Sequence, residues 1–418
     1  MAFAAAALVA CGGGGGSGDQ TSMRLVNATL THTSLSLLSN STTVVTAVAL
    51  DATSAYVGVD AGSPTLQVND AGSGTALTTT APTLTSGLHY ALLAYESGGS
   101  LRTAVIAEDT AVPTAGTAAL RVFNAATDAG AVDIYVTDPA VNISTLSSPT
   151  LSFASSTSVQ ASQFFSFAPG TYRVRVTGAG NTADLRLDIP SVTLTALQVA
   201  TVILTPTTGG TLANGSVLLQ QGDYTASRNT SARVRMAAAV SAGAVISANA
   251  GATPIAASVV APAIGAYTTV PGGSTVSVTV NSGAPIVPTG TLAAGSDTTL
   301  LVYGNAATAT VSLLPDDNHL PTSTSSLKLR LLNGVTGAAT PLTLDADFAV
   351  IASNVQPGTA SPYAVLASST SMRVDVISPS SLTPIYSESA LNVPGNAVFT
   401  LFMFGDASAP AHLLRRDR

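Results

Sequence analysis

Four related stretches divide this chain into parts of similar length. "MRLVNAT" at Met23 returns as "LRVFNAATDAG" at Leu120, "VRMAAAVSAG" at Val234 and "LRLLNGVTGAA" at Leu329, with Arg24, Arg121, Arg235 and Arg330 in the same place. The arginines lie 97, 114 and 95 residues apart, close to the size of one β-sandwich domain. A chain of 418 residues is long for a single core, and a repeat of this period says how it divides.

Three further blocks follow each arginine. The second reads "SLSLL" at Ser34, "AVDIYV" at Ala131, "AVISA" at Ala244 and "PLTLD" at Pro341. The third reads "TLQVND" at Thr65, "GTYRVRVTG" at Gly170, "STVSVTVNSG" at Ser274 and "SMRVDVIS" at Ser371. It alternates strictly: Tyr172, Val174 and Val176 point one way, Arg173 and Arg175 the other. Period two marks half-buried strands with one face on a core. The closing block of each copy, such as "TTLLVYGNAATATVSLLPDD", is two apolar runs around a turn, a hairpin. Composition agrees. Only 9% of residues are charged and Lys328 is the single lysine, so polar surface comes from Ser, Thr, Asn and Gly, which suit strands and turns. The fold class expected is all-β: four tandem immunoglobulin-like Greek-key β-sandwich domains, at 23–112, 118–224, 232–318 and 327–418. Short Thr/Ser/Ala/Pro linkers between them predict independent beads with limited rocking.

The net charge is −7 and no basic stripe runs through the sequence, which argues against a nucleic-acid partner. No window is apolar for the roughly 18–20 residues that a membrane-spanning helix needs. The N-terminus carries a different signal. Leu8-Val9-Ala10-Cys11 ends an apolar run at the only cysteine of the chain, and "GGGGGSG" follows it. An apolar residue, two small-to-medium residues and a cysteine resemble a bacterial lipobox, read here as a signal peptide over 1–10, truncated because it has no basic start. Cys11 is the expected lipidation site, with 11–22 as a lipidated, Gly-rich tether. A flexible tether of about ten residues spans roughly 20 Å. Gly12, not Asp, follows the cysteine, which points to the outer membrane. The partner expected from this segment is therefore the membrane, through lipid on Cys11, in the bacterial cell envelope.

"LRVFNAATDAGAVDIYV" followed by "FAPGTYRVRVTGAG" resembles the bacterial family called domain of unknown function 4397. That resemblance implies secreted or lipid-anchored tandem β-sandwiches. The second copy carries it best. The first and fourth keep Asn27 and Asn333 where the second has Asn124, and the third, with Ala238, diverges most. No activity or site residue comes with the resemblance.

Chemistry is sparse. The four histidines, His32, His89, His319 and His412, are scattered without zinc spacing. No Gly-x-Ser-x-Gly elbow occurs. "GAGNTA" at Gly178 joins two strands and is a hairpin turn, since phosphate cradling needs a strand and a helix. No catalytic residue, metal site or cofactor is assigned. Should a cation bind, the candidates are Asp316, Asp317 and Asn318 beside His319, because oxygen ligands at a junction suit calcium. Tryptophan is absent and aromatics are 5%, which weakens sugar stacking. Phe164 and Tyr172 read as core. On the second copy, Asp133, Tyr135, Arg173 and Arg175 fall in the phase opposite the core and are expected to face solvent as a binding surface, Arg and Tyr being enriched in hot spots. The function expected is a non-enzymatic lipid-anchored envelope scaffold, spacer or adhesion module, with an envelope protein or glycan as further partner. The alternative is glycan or calcium binding through the second domain or a domain junction.

Overall fold

The computed structural model describes residues 19–336, 341–379, 381, 383–406 and 409–418. Cys11 and its lipobox lie outside the described residues. The rest is almost wholly β, with three single-turn 3-10 helices among the described residues. Two compact units emerge, one built around the first sandwich and one holding the second, third and fourth.

Each copy of the repeat makes two sheets. In the third copy, Ser231–Val240, the strand carrying the marker arginine, sits centrally. It pairs in parallel with Asp297–Gly304 and antiparallel with the short strands Ala263–Ile264 and Thr268–Pro271. Asp297–Gly304 then forms a hairpin with Thr310–Asp316. The fourth copy repeats this around Ser326–Thr336, Ala397–Asp406 and Ala409–Arg416. The second does so around Ala118–Asn124, Val199–Pro206 and Ala213–Leu219, and the first around Gln20–Asn27, His89–Ser97 and Ser100–Ala107. The opposing sheet of the second copy runs Leu151–Phe153, Val132–Thr137, Gly170–Gly178, Asn181–Leu194. In the third copy that sheet has three strands, and the fourth position is reduced to one bridge, Val278 to Ile286, between Pro285 and Pro288. Proline cannot donate to a ladder, so the edge is blunted.

The period-two reading locates the cores. Val174 and Val176 join Leu120, Val122, Val202 and Leu204 in the second core. Val276, Val278 and Val280 sit in the third with Val234 and Met236, and Met372, Val374 and Val376 in the fourth with Leu329 and Leu331. The repeated asparagines close gaps in these strands. Asn27 donates to the carbonyls of His32 and Val48, and Asn333 to that of Val355, while Asn124 accepts from the Ala126 amide.

The expectation of independent beads is corrected for the last two sandwiches. Ala237, Ala239 and Leu301 of the third form one buried cluster with Leu332, Phe402 and Phe404 of the fourth. These residues lie on the opposite face of their sheets from the cores. The central strands are buried at both phases of the alternation: Asp297–Val302 and Ala397–Phe404 are buried at every position, with Asp297, Thr298, Thr299 and Thr400 as their polar members. A strand covered on both faces reads as a continuous apolar run, and here the second covering layer is the neighbouring sandwich.

Candidate functional site

The marker arginines converge on a motif that recurs in all four sandwiches. The guanidinium of Arg24 lies over the Tyr56 ring, Arg121 over Phe164, Arg235 over Tyr267 and Arg330 over Tyr363, at 5.1, 4.6, 4.7 and 4.5 Å from the ring centroids. Each aromatic follows two residues after Ser54, Ser162, Gly265 or Ser361. Where serine is present its hydroxyl accepts from the amide just after the arginine: Leu25, Val122 and Leu331. Phe164 thus belongs under Arg121 and not in the core, while Tyr172 does pack against the core. The motif was invisible as a contact because 32 to 43 residues separate arginine from ring. A recurring Ser/Gly-x-aromatic at that distance was the available signal.

The acidic partner comes from the end of the last strand or the residue just after it. In the first sandwich, Arg24 Nε donates to Glu108 at 2.9 Å and Tyr56 donates to the same carboxylate at 2.6 Å. In the third and fourth the arrangement is exchanged. Arg330 of the fourth donates to Asp316 of the third, and Arg235 of the third donates to Asp417 of the fourth. Thr299 and Thr400 complete the two halves: Arg235 Nε donates to Thr299 at 2.9 Å and Arg330 Nε to Thr400 at 3.1 Å. Arg235 is 0% exposed and Arg330 2%. Burial alone would raise the Asp316 carboxyl, but Arg330 and Arg235 outweigh it and hold it below the ordinary range.

The next three residues continue the knot. Asp317 reaches Lys328 and His319, each at 2.5 Å. Asn318 donates to Asp297 at 2.7 Å and to the Tyr267 hydroxyl at 3.0 Å. His319 Nε2 lies 2.8 Å from the Thr207 carbonyl of the second sandwich and 3.7 Å from Asp128. Asp316, Asp317 and Asn318 therefore point toward separate protein partners and do not converge on one cation position. No group of three or more His, Cys, Asp or Glu suited to a metal occurs among the described residues. Beside the knot, a cleft of about 810 Å³ is lined by Pro315, Leu320, Pro321, Lys328, Pro362 and Tyr363, among others.

The proposed outer face of the second sandwich is corrected at three of its four residues. Asp133, Tyr135 and Arg175 are 7%, 4% and 6% exposed. They do lie opposite the core, but their side chains are held down along their own sheet. Asp133 accepts from Ser152 at 2.5 Å and from the Gly180 amide at 2.7 Å, and Arg175 donates to Thr137 at 2.6 Å. Tyr135 faces Arg175 across the ladder, and burial pushes its phenol up. Arg173 remains about one-third exposed and pairs with Asp188 at 2.5 Å.

Residues 21–135 match the family described as domain of unknown function DUF4397. The match starts in the first sandwich and ends on Val132–Thr137 of the second, whereas the sequence reading put the best resemblance in the second copy. No curated protein matches the chain. Among solved structures, the pilus adhesin SpaC from Lactobacillus rhamnosus GG is similar at 12% identity with a TM-score of 0.15, over 83% of this chain and 42% of that one. The chain spans less than half the length of that adhesin.

Proposed function

We propose that this protein is a non-catalytic, lipid-anchored component of the bacterial cell envelope whose sandwiches serve as a stiff spacer or scaffold. The observation that carries this reading is the exchange of Arg235 and Arg330 between Asp417 and Asp316 across a buried apolar seam. Charges that in an enzyme would be poised toward a substrate are here consumed in joining neighbouring sandwiches. Breaking a buried pair typically costs about 3–5 kcal/mol, so such a joint resists bending where a polar linker would not. The lipobox ending at Cys11 and the glycine tether behind it support attachment at one end.

The test is a distance distribution between spin labels placed on exposed positions of the third and fourth sandwiches, in a Cys11→Ala background that leaves no native thiol. A stiff spacer gives one narrow distance; a broad distribution would reject the reading. A second reading, ligand binding at a junction, is favoured by one observation, the cleft beside Tyr363 and Lys328. Titration with acidic and neutral oligosaccharides, followed by Tyr363 fluorescence and its Tyr363→Phe control, tests that reading.

A further inference from the structure

His319 sits where the second, third and fourth sandwiches meet, and both of its ring nitrogens face acceptors. Nδ1 lies 2.5 Å from Asp317 Oδ1. Nε2 lies 2.8 Å from the Thr207 carbonyl and 3.7 Å from Asp128 Oδ2. A carbonyl can only accept, so Nε2 must carry a hydrogen. A neutral imidazole has one N–H, which would leave the Nδ1 lone pair against a carboxylate. Asp317 is held as the carboxylate, because the Lys328 ammonium lies 2.5 Å from its other oxygen and, with His319, keeps its carboxyl below the ordinary range. With Asp317 kept ionised beside Lys328, the imidazolium is the form that satisfies both ring nitrogens.

The backbone around the ring is fitted to the same contact. The Asn318 amide donates to the Gly209 carbonyl at 2.9 Å. Gly210, at φ +84°, lies so close that a Cβ there would overlap the His319 backbone nitrogen. Across the ring, Asp128 of the second sandwich is 7% exposed and neither carboxylate oxygen has a hydrogen-bond partner among the described residues. Its compensation comes first from the charges of His319 and Arg418.

We propose that His319 is a proton-dependent latch: its imidazolium ties the segment joining the third and fourth sandwiches to the second, and loss of its proton loosens that junction. The groups facing it are Asp317 on its own segment, Asp128 on the second sandwich, Lys328 on the first strand of the fourth, and Arg418 behind Asp128. Burial alone would lower the imidazole, but Asp317 and Asp128 outweigh it and hold it above its ordinary value. The latch therefore contributes fully below about pH 6.5, the unfolded value, and its contribution disappears as pH rises through the raised folded value. Burial pushes Asp128 up as well, so its ionisation opposes the folded junction in the same direction. Burial pushes Lys328 down. Its effect has the opposite sign, stability rising with pH between its lowered value and about 10.4.

The test uses the full chain with ¹⁵N-labelled histidine. His319 is identified by elimination with His32→Gln, His89→Gln and His412→Gln. At pH 6.5 both His319 nitrogens should show imidazolium shifts, with a midpoint above that of the unfolded chain. Hydrogen exchange at the Asn318 amide, corrected for its intrinsic rate, should speed up by about tenfold per unit of raised pKa between pH 6 and 9. In His319→Gln this pH dependence should lose the imidazole's part and shrink to what Asp128 contributes. A singly protonated His319 at pH 6.5 overturns the proposal, as does an identical Asn318 exchange profile in wild type and His319→Gln. Should His319→Gln fail to fold, the wild-type nitrogen shifts decide alone.

Discussion

Arg330 on the first strand of the fourth sandwich donates to Asp316 on the last strand of the third, while Arg235 makes the converse bond to Asp417. In the first sandwich the corresponding pair, Arg24 and Glu108, closes within one domain. One motif therefore serves two purposes, closing a sandwich upon itself or joining it to its neighbour.

Arg330→Met should destabilise the third–fourth pair by about 3 kcal/mol. Removing one partner of a buried pair costs about 3–5 kcal/mol, and Arg235, 3.9 Å from Asp316, keeps the loss at the lower end. Adding Asp316→Asn should recover part of it. Urea denaturation of the single and double variants measures both, and a loss below about 1 kcal/mol would contradict a joint held by this pair.

Residues 117–229, carrying the second sandwich with its own core of Leu120, Val122, Val174 and Val202, should melt cooperatively as an isolated fragment. Residues 326–418 should not behave as a monomer, because Leu332, Phe402 and Phe404 lose their cover. Circular dichroism and sedimentation of the two fragments provide the comparison; a monomeric, cooperatively melting fourth sandwich would show that the seam is dispensable.

Gly210→Ala should lower thermal stability even though it adds only a methyl group. The position has φ +84° and its Cβ would overlap the His319 backbone, combining αL strain of about 1 kcal/mol with a steric clash. Gly180→Ala, also at positive φ but with open space around its Cβ, carries the strain alone. The difference in melting temperature between the two isolates the junction contact, and equal losses would remove it.

Cys11→Ala should move the protein from membrane to soluble fractions and abolish incorporation of a clickable fatty acid. A wild-type protein that takes up no label at Cys11 would remove the anchor from the proposed function.

The sequence alone determined the strands, the repeat and the side of each strand that meets its core, because alternation is local: neighbouring side chains in an extended chain point to opposite faces whatever else the fold does. It also singled out Asp316-Asp317-Asn318-His319, and Arg24, Arg121, Arg235 and Arg330, as positions that stand apart. What faces the other side of each strand was decided by tertiary structure. Val174 and Arg175 differ in phase, yet both are buried, since a face turned from one core can be held down by its own polar neighbours or covered by another domain. Phe402 and Thr400 share the outward phase of one strand, and only the arrival of the third sandwich made that face a seam. Nor does spacing reveal the partner of a long charged side chain. A guanidinium can pair within its own sandwich or with the next, and that choice rests on which carboxylate is close enough to offset the cost of burying the charge.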